Sequence, residues 1–163
     1  IARLHAGGRP VTATLVGSGP DEAELKAQAA GHGLDQAIRF MGAMPARQAL
    51  TLGRIMTIPS RAESLPYVVL EAAAAGKPLI TTRVGGIPEI YGPLSGALIE
   101  AGHPGALADA IAGALDDPAA AQRLAGQLRE RVAAGFSLDA MVDGVTAAYR
   151  EAMAQAMPAQ AAA

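Results

Sequence analysis

The feature that most constrains this chain is an alternation. Short apolar runs, each closed by Gly or Pro, take turns with longer stretches of helical spacing. Thr12–Val16 (TATLV) is rich in β-branched residues and stops at Gly17, which predicts a strand. Asp21–Ala30 follows as a helix, with Asp21 at the N-cap, Glu24 at the third position beyond it, and Gly31 and Gly33 closing it. Ile38–Met41 is a second strand, stopped by Gly42, and Ala46–Leu52 a short helix. Arg54–Ile58 is a third strand, stopped by Pro59, before a helix over Pro66–Ala75 that ends at Gly76. Leu79–Thr82 and Ala97–Ile99 complete the strands, and Pro104–Leu115, Ala119–Ala133 and Leu138–Met157 form a helical C-terminal third. Strand–helix alternation requires right-handed crossovers and a parallel sheet. The strands are nearly unbroken apolar runs, as expected where helices cover both faces. The expected fold is therefore a doubly wound, Rossmann-like α/β domain over residues 1–151, followed by an Ala-rich tail over 152–163 whose end frays. No internal repeat and no linker divides the 163 residues.

Composition removes several function classes. With 51% hydrophobic and 17% charged residues the chain has enough apolar side chains to fold. A net charge of -2 gives no global field for nucleic acid or anionic lipid, and 3% aromatics without Trp gives no base-stacking platform. No Cys is present, so disulfides, thiolate catalysis and Cys-ligated metals are out. His5, His32 and His103 lie far apart and nothing pairs them. The most apolar stretch, Val68–Ala75, is broken by Glu71 and is too short to cross a bilayer. With no signal peptide evident either, the cytosol is the expected compartment. Ile1 is not a normal initiator, so the chain reads as part of something longer.

Doubly wound sheets bind ligands beyond the C-terminal ends of their strands. That directs attention to Gly17–Pro20, Gly42, Pro59–Pro66 and Arg83–Glu89. The stretch PSRAESLPYVVLEAAAAGKP, Pro59–Pro78, says most. A six-residue polar loop leads from a strand into a helix with Pro66 at its first position. The N–H groups of Leu65, Tyr67 and Val68 would point back at the strand ends, where the helix dipole favours an anion. Such a site needs no Lys or Arg, although Arg61 is near enough in sequence to help. Glu63 stands before this helix start and Glu71 inside the helix, eight positions apart, about 12 Å if the span were all helical. Two carboxylates flanking a diphosphate site suit a molecule with a sugar at either end of a diphosphate. The plainer reading makes Glu71 a solvated surface residue and Glu63 a partner of the helix dipole. The helix is apolar on nearly all sides, which predicts burial, and a buried carboxylate needs partners.

These residues carry a resemblance. The segment Glu63–Glu71 resembles the Glu-x7-Glu motif of retaining glycosyltransferases of the GT-B fold, in particular family 4, the glycosyl transferases group 1. Leu15-Val16-Gly17-Ser18-Gly19-Pro20 is similar to that family's strand and Gly-x-Gly-Pro turn, and Ile38–Gly42 to its V-x-F-L-G strand. Gly76-Lys77-Pro78, Val84–Glu89 and Ser95–Ile99 follow in the family's order. The resemblance implies that Glu71 binds the ribose hydroxyls and that Glu63 faces the transferred sugar as the catalytic residue. It implies backbone contacts from Ser64, Leu65 and Pro66 near that sugar, and from Tyr67 and Val68 to the diphosphate. It sets Met41 and Gly42 beside the base, and lets the turn at Gly17 and Gly19 approach closely. It also implies an acceptor bound to a separate N-terminal domain. The family's early Arg and Lys, and its first strand, would lie before Ile1. That predicts a piece inactive alone, with Thr12–Val16 and Arg54–Ile58 open on one side or paired with another chain. Tyr91-Gly92-Pro93-Leu94 also lacks the family's Asp-Gly.

Other motifs are weaker. Gly17-Ser18-Gly19 does not complete a dinucleotide fingerprint, because its sixth position is Glu22. Lys77 reads as solvated, His103 as an N-cap variant, Asp116-Asp117-Pro118 as a turn between helices and the Met residues as packing. No Asp-x-Asp site is present, so no metal or other cofactor is expected. Glu89 either opens a helix or belongs to the donor side. The expected function is sugar transfer from a UDP-, GDP- or ADP-sugar. The alternatives are a non-catalytic nucleotide-binding or assembly module that self-associates, and a sugar-nucleotide epimerase. The expected partners are the donor and the N-terminal acceptor domain, through which the whole enzyme could sit on the inner membrane. No nucleic acid is expected.

Overall fold

A computed structural model of the protein describes residues 1–156. Its elements run α1 (Ala2–Ala6), β1 (Ala13–Val16), α2 (Glu22–Gly31), β2 (Ile38–Met41), α3 (Ala46–Ala49), β3 (Met56–Ile58), α4 (Tyr67–Ala74), β4 (Leu79–Thr81), α5 (Ile87–Tyr91), a 3-10 helix (Gly92–Ala97), α6 (Pro104–Asp116), α7 (Pro118–Gly135) and α8 (Leu138–Ala156). Alternation gives the mixed α/β fold that the sequence predicts. The end of the predicted tail, 157–163, lies outside the described residues, and 152–156 continue α8.

The strands pair in parallel, but in two separate ladders. β1 pairs with β2, from Ala13 opposite Ile38 to Val16 opposite Met41. β3 pairs with β4, from Met56 opposite Leu79 to Ile58 opposite Thr81. Among the described residues each strand has one ladder neighbour, and Thr82 adds a single parallel bridge to Ile99. The predicted strand Ala97–Ile99 is therefore reduced to that bridge. Gly92, Pro93 and Gly96 wind the preceding stretch into the 3-10 helix, whose end carries Ala97. β3 starts at Met56 rather than Arg54, because its first bond runs from Met56 N–H to the Pro78 carbonyl and Pro78 has no N–H to return. α3 stops early because Thr51 and Leu52 fall into i→i−3 bonds, and the Thr51 hydroxyl bonds the Gln48 carbonyl. Asp21 and His103 occupy N-cap positions without side-chain cap bonds. Asp117 caps α7 through the Ala120 N–H at 2.7 Å.

The core lies on the second ladder. Ile58, Leu79, Val69, Ala72, Ala73, Ile87, Ile90, Tyr91, Leu98, Leu128 and Val132 form one buried cluster. Small residues let α4 lie close against α7, and Arg131 of α7 donates to the Ile90 and Glu89 carbonyls at 2.8 and 2.9 Å, closing the end of α5. Burial pushes the Tyr91 phenol up, and its hydroxyl reaches only the Leu79 carbonyl at 3.5 Å.

The first ladder is thinner. Leu15 and Val16 of β1 are each 38% exposed, against the expectation of strands covered on both faces. Only Leu4, Ala29 and Leu34 are buried in the first 50 residues. α8 carries Leu138, Met141, Val142, Val145, Tyr149 and Met153 at helical spacing, each between 50% and 70% exposed.

This distribution makes a prediction. Leu128→Ala, in the closed core, should lower the unfolding free energy by about 2–5 kcal/mol, while Met141→Ala on α8 should change it by less than about 0.5 kcal/mol. Denaturant unfolding of the two variants measures the difference.

Candidate functional site

The loop between β3 and α4 is built by its neighbours. Among the described residues Thr81 and Thr82 are the buried polar side chains, and their hydroxyls turn toward the end of β3 and this loop. The Thr81 Oγ1 donates to the Ile58 carbonyl at 3.0 Å, and the Thr82 Oγ1 to the Ser60 carbonyl at 2.6 Å. Farther along, the Gly86 N–H donates to the Ser64 carbonyl at 2.6 Å. The turn at Gly85 and Gly86 presses on the loop backbone. A Cβ on Gly85, whose φ is +51°, would sit 1.8 Å from the Glu63 carbonyl oxygen. A Cβ on Gly86 would sit 2.7 Å from the Ser64 carbonyl oxygen. Only glycine permits this approach.

On that scaffold stands Glu63. It is half-buried, and its Oε1 accepts from the Ser60 hydroxyl at 2.6 Å. α4 begins at Tyr67, with the buried Pro66 as N-cap at φ −75° and ψ 114°. Pro66 thus precedes the helix rather than opening it, because its extended ψ turns the chain into the first helical turn. The N–H groups of Leu65, Tyr67 and Val68 take no backbone or side-chain acceptor, so they remain free to bind an anion.

Glu71 differs from expectation. It is exposed, not buried, and forms no ion pair among the described residues. The reason is helical phase. Val69, Ala72 and Ala73 are each 0% exposed and face the core, which leaves Tyr67, Glu71 and Ala74 on the outward side. The helix is apolar in sequence but buried on one side only. Tyr67 itself is 73% exposed. Arg61 is also exposed, and among the described residues it forms no ion pair.

The remaining predicted residues form a second group. The Gly17 N–H donates to the Met41 carbonyl at 3.0 Å, which ties the end of β1 to the end of β2 beside Gly42. A Cβ on Gly17, Gly19 or Gly42 would meet nothing within 4 Å, so the turn is not approached by the chain itself. Phe40, next to Met41, lies under the Lys26 ammonium at 5.6 Å. Among the described residues no hydrogen bond joins this group to the Glu63 group. Two cavities lie elsewhere, one of about 250 Å³ between β4, α6 and α7 and one of about 310 Å³ between Gly76–Pro78, α6 and α7. Neither group lines those cavities, and Gly17, Gly19, Gly42, Ser64, Leu65 and Tyr67 are all exposed. Glu89 stands exposed in α5, whose opening it was one reading to mark. Among the described residues no three His, Asp or Glu side chains cluster as metal ligands would.

The model of the family described as glycosyl transferases group 1 matches residues 1–117. The chain belongs to that family. Glycogen synthase of Mycobacterium tuberculosis is 34% identical over 153 residues, covering 91% of this chain and 36% of that protein. An α-D-kanosaminyltransferase of Streptomyces kanamyceticus is 30% identical over 154 residues, covering 92% and 40%. The chain thus spans little more than a third of these relatives. Among solved structures, sucrose-phosphate synthase of Thermosynechococcus elongatus superposes with a TM-score of 0.74 at 30% identity, covering 87% of this chain and 38% of that one. Anabaena HepE in complex with UDP superposes at 0.77 with 23% identity, covering 86% and 41%, which speaks for the fold alone. The doubly wound α/β reading and the GT-B assignment hold for this glycosyltransferase domain.

Sequence reasoning singled out the loop and both acids but not what holds them. Ser60, Thr81, Thr82 and the Gly85–Gly86 approach gave one signal, a hydroxyl three positions before Glu63 in a polar loop. Gly85→Ala should destabilise the domain by at least about 2 kcal/mol, since both φ and contact forbid a Cβ, whereas Gly96→Ala, with nothing near its Cβ, should change it by less than about 1 kcal/mol. Thermal unfolding of the two variants checks this.

Proposed function

We propose that this chain is the donor-binding half of a retaining, family 4 glycosyltransferase that takes a UDP-, GDP- or ADP-sugar. One observation carries the reading: a half-buried, fixed Glu63 beside the acceptor-free N–H groups of Leu65, Tyr67 and Val68 at the start of α4. The amides take the diphosphate, with Arg61 close enough in sequence to add charge. Glu63 receives hydroxyls of the transferred sugar, beside Ser64, Leu65 and Pro66. Glu71, one helical turn beyond Tyr67 on the outward side, receives the ribose hydroxyls. Gly17, Gly19, Met41 and Gly42 border the base. No metal is assigned to the site. Anabaena HepE, a neighbour in fold, is described in complex with UDP and with UDP-glucose, which supports a nucleotide-sugar as donor.

The open site fits a domain that supplies one wall. The acceptor and the other wall belong to the part of such enzymes that this chain does not span, so the isolated chain is inactive on this reading. None of the described helices is long and apolar enough to cross a membrane. We place the whole enzyme in the cytoplasm, with any contact to the inner membrane made through its other half. A second reading, a self-associating assembly module, is favoured by the open edges of β1 and β3 and the exposed stripe of α8. Sedimentation of the chain with and without UDP separates the two, because an assembly module stays oligomeric and ignores the nucleotide.

Glu71 gives the direct test. In the full-length enzyme, Glu71→Ala should weaken the preferred donor by about tenfold or more while leaving stability within about 0.5 kcal/mol, as its side chain is exposed. Calorimetric titration with UDP-, GDP- and ADP-sugars measures it, and unchanged affinity removes Glu71 from the site.

A further inference from the structure

Glu63 is held both through its side chain and through the loop backbone on either side of it. Its side chain would otherwise rotate freely in a polar loop, and ordering it on binding would weaken affinity. Instead, one oxygen accepts the Ser60 hydroxyl at 2.6 Å. Ser60 is itself fixed, since its carbonyl accepts from Thr82 at 2.6 Å. On the far side of Glu63, the Gly86 N–H grips the Ser64 carbonyl at 2.6 Å, and Gly85 leaves no room for the Glu63 carbonyl to move toward it. The loop is pinned before and after the acid, and the acid is pinned by its side chain. Among the described residues Oε2 has no hydrogen-bond partner and stays available to a ligand.

We propose that Ser60 is a positioning residue for Glu63, fixing one carboxylate oxygen so that the other meets the transferred sugar, with the Thr82 hydroxyl holding Ser60 in place. The inference rests on the reading of Glu63 given above. Ser60 acts on the sugar through the acid and does not touch the diphosphate. Its removal should therefore leave nucleoside diphosphate binding alone and affect only the ligand that carries a sugar. A purely structural hydroxyl would weaken both equally.

The test uses the full-length enzyme containing this chain, titrated with UDP, GDP and ADP and with UDP-glucose, GDP-mannose and ADP-glucose, alongside turnover of the preferred donor. Ser60→Ala should leave the Kd for the diphosphate within about twofold and reduce kcat/KM for the sugar nucleotide about tenfold, the scale of one charge-assisted hydrogen bond. Ser60→Thr keeps the hydroxyl and should recover most of that loss. Ser60→Ala added to Glu63→Gln should make matters no worse than Glu63→Gln alone, because the two act as one unit. Where Ser60→Ala lowers the melting temperature, Thr82→Val removes the outer bond at nearly constant volume and should show the same sugar-selective loss. A full effect of Glu63→Gln with none from Ser60→Ala overturns the positioning role and leaves the reading of Glu63 standing. Additive losses, or equal loss of diphosphate and sugar nucleotide, also overturn it. No effect of Glu63→Gln on either ligand removes the reading of Glu63 and this inference with it.

Discussion

The packing of one face of α4 sets everything else in the second half of the molecule. Val69, Ala72 and Ala73 are wholly buried against β3, β4 and α7. Two of the three are alanines, so α7 can lie close, and Leu128 and Val132 fill the space. A helix fixed this tightly along one face has no rotational freedom. Its N-terminal amides therefore point to a defined place beyond the strand ends, and its opposite face is committed to solvent. Both consequences matter for the candidate site: the first orients the acceptor-free amides, and the second exposes Glu71.

The loop leading into α4 is secured by a different kind of force. Its own residues are polar and too few to pack. Threonines at the end of β4 and a double-glycine turn do the work through hydrogen bonds at 2.6–3.0 Å and a backbone approach no other residue allows. Thr81 and Thr82 are buried, where an unpaired hydroxyl is unfavourable. Their need for acceptors and the loop's need for donors are met by the same bonds. Hydrophobic burial fixes the helix and buried polar pairing fixes the loop, and the acid sits at the junction.

The sequence made the alternation of elements legible because that signal is repeated and local. Ile38–Met41 came out to the residue, and α2, α4, α6 and α7 within two residues at each end. What it hid was long-range. Whether Leu15 and Val16 are covered depends on elements distant in sequence, and an apolar run cannot report that its cover is missing. Ala97–Ile99 looked like a strand from its side chains, but Gly92, Pro93 and Gly96 governed its backbone. The helix Ile87–Tyr91 was visible only as a question about Glu89, and α1 not at all, since five residues give no periodicity. For the site, the acids were legible by spacing. Their environment was not, because Ala72 and Ala73 look no more buried in sequence than Ala74.

Exposure of Glu71 bears on how such a surface works. A carboxylate in water gains little from exchanging water for sugar hydroxyls, since one set of hydrogen bonds replaces another. The gain rises only when the surrounding water is removed and the groups are already in place. Glu63 meets the second condition through Ser60, and Glu71, on an outward helix face, meets neither by itself. The first condition needs a wall that the described residues do not supply. On the proposed reading, this physics makes the chain the holder of one side of a donor site, with strong recognition arising when a second surface closes over α4 and dries the hydroxyl contacts. The fixed acid then needs no rearrangement at closure, while the exposed one gains its strength from it.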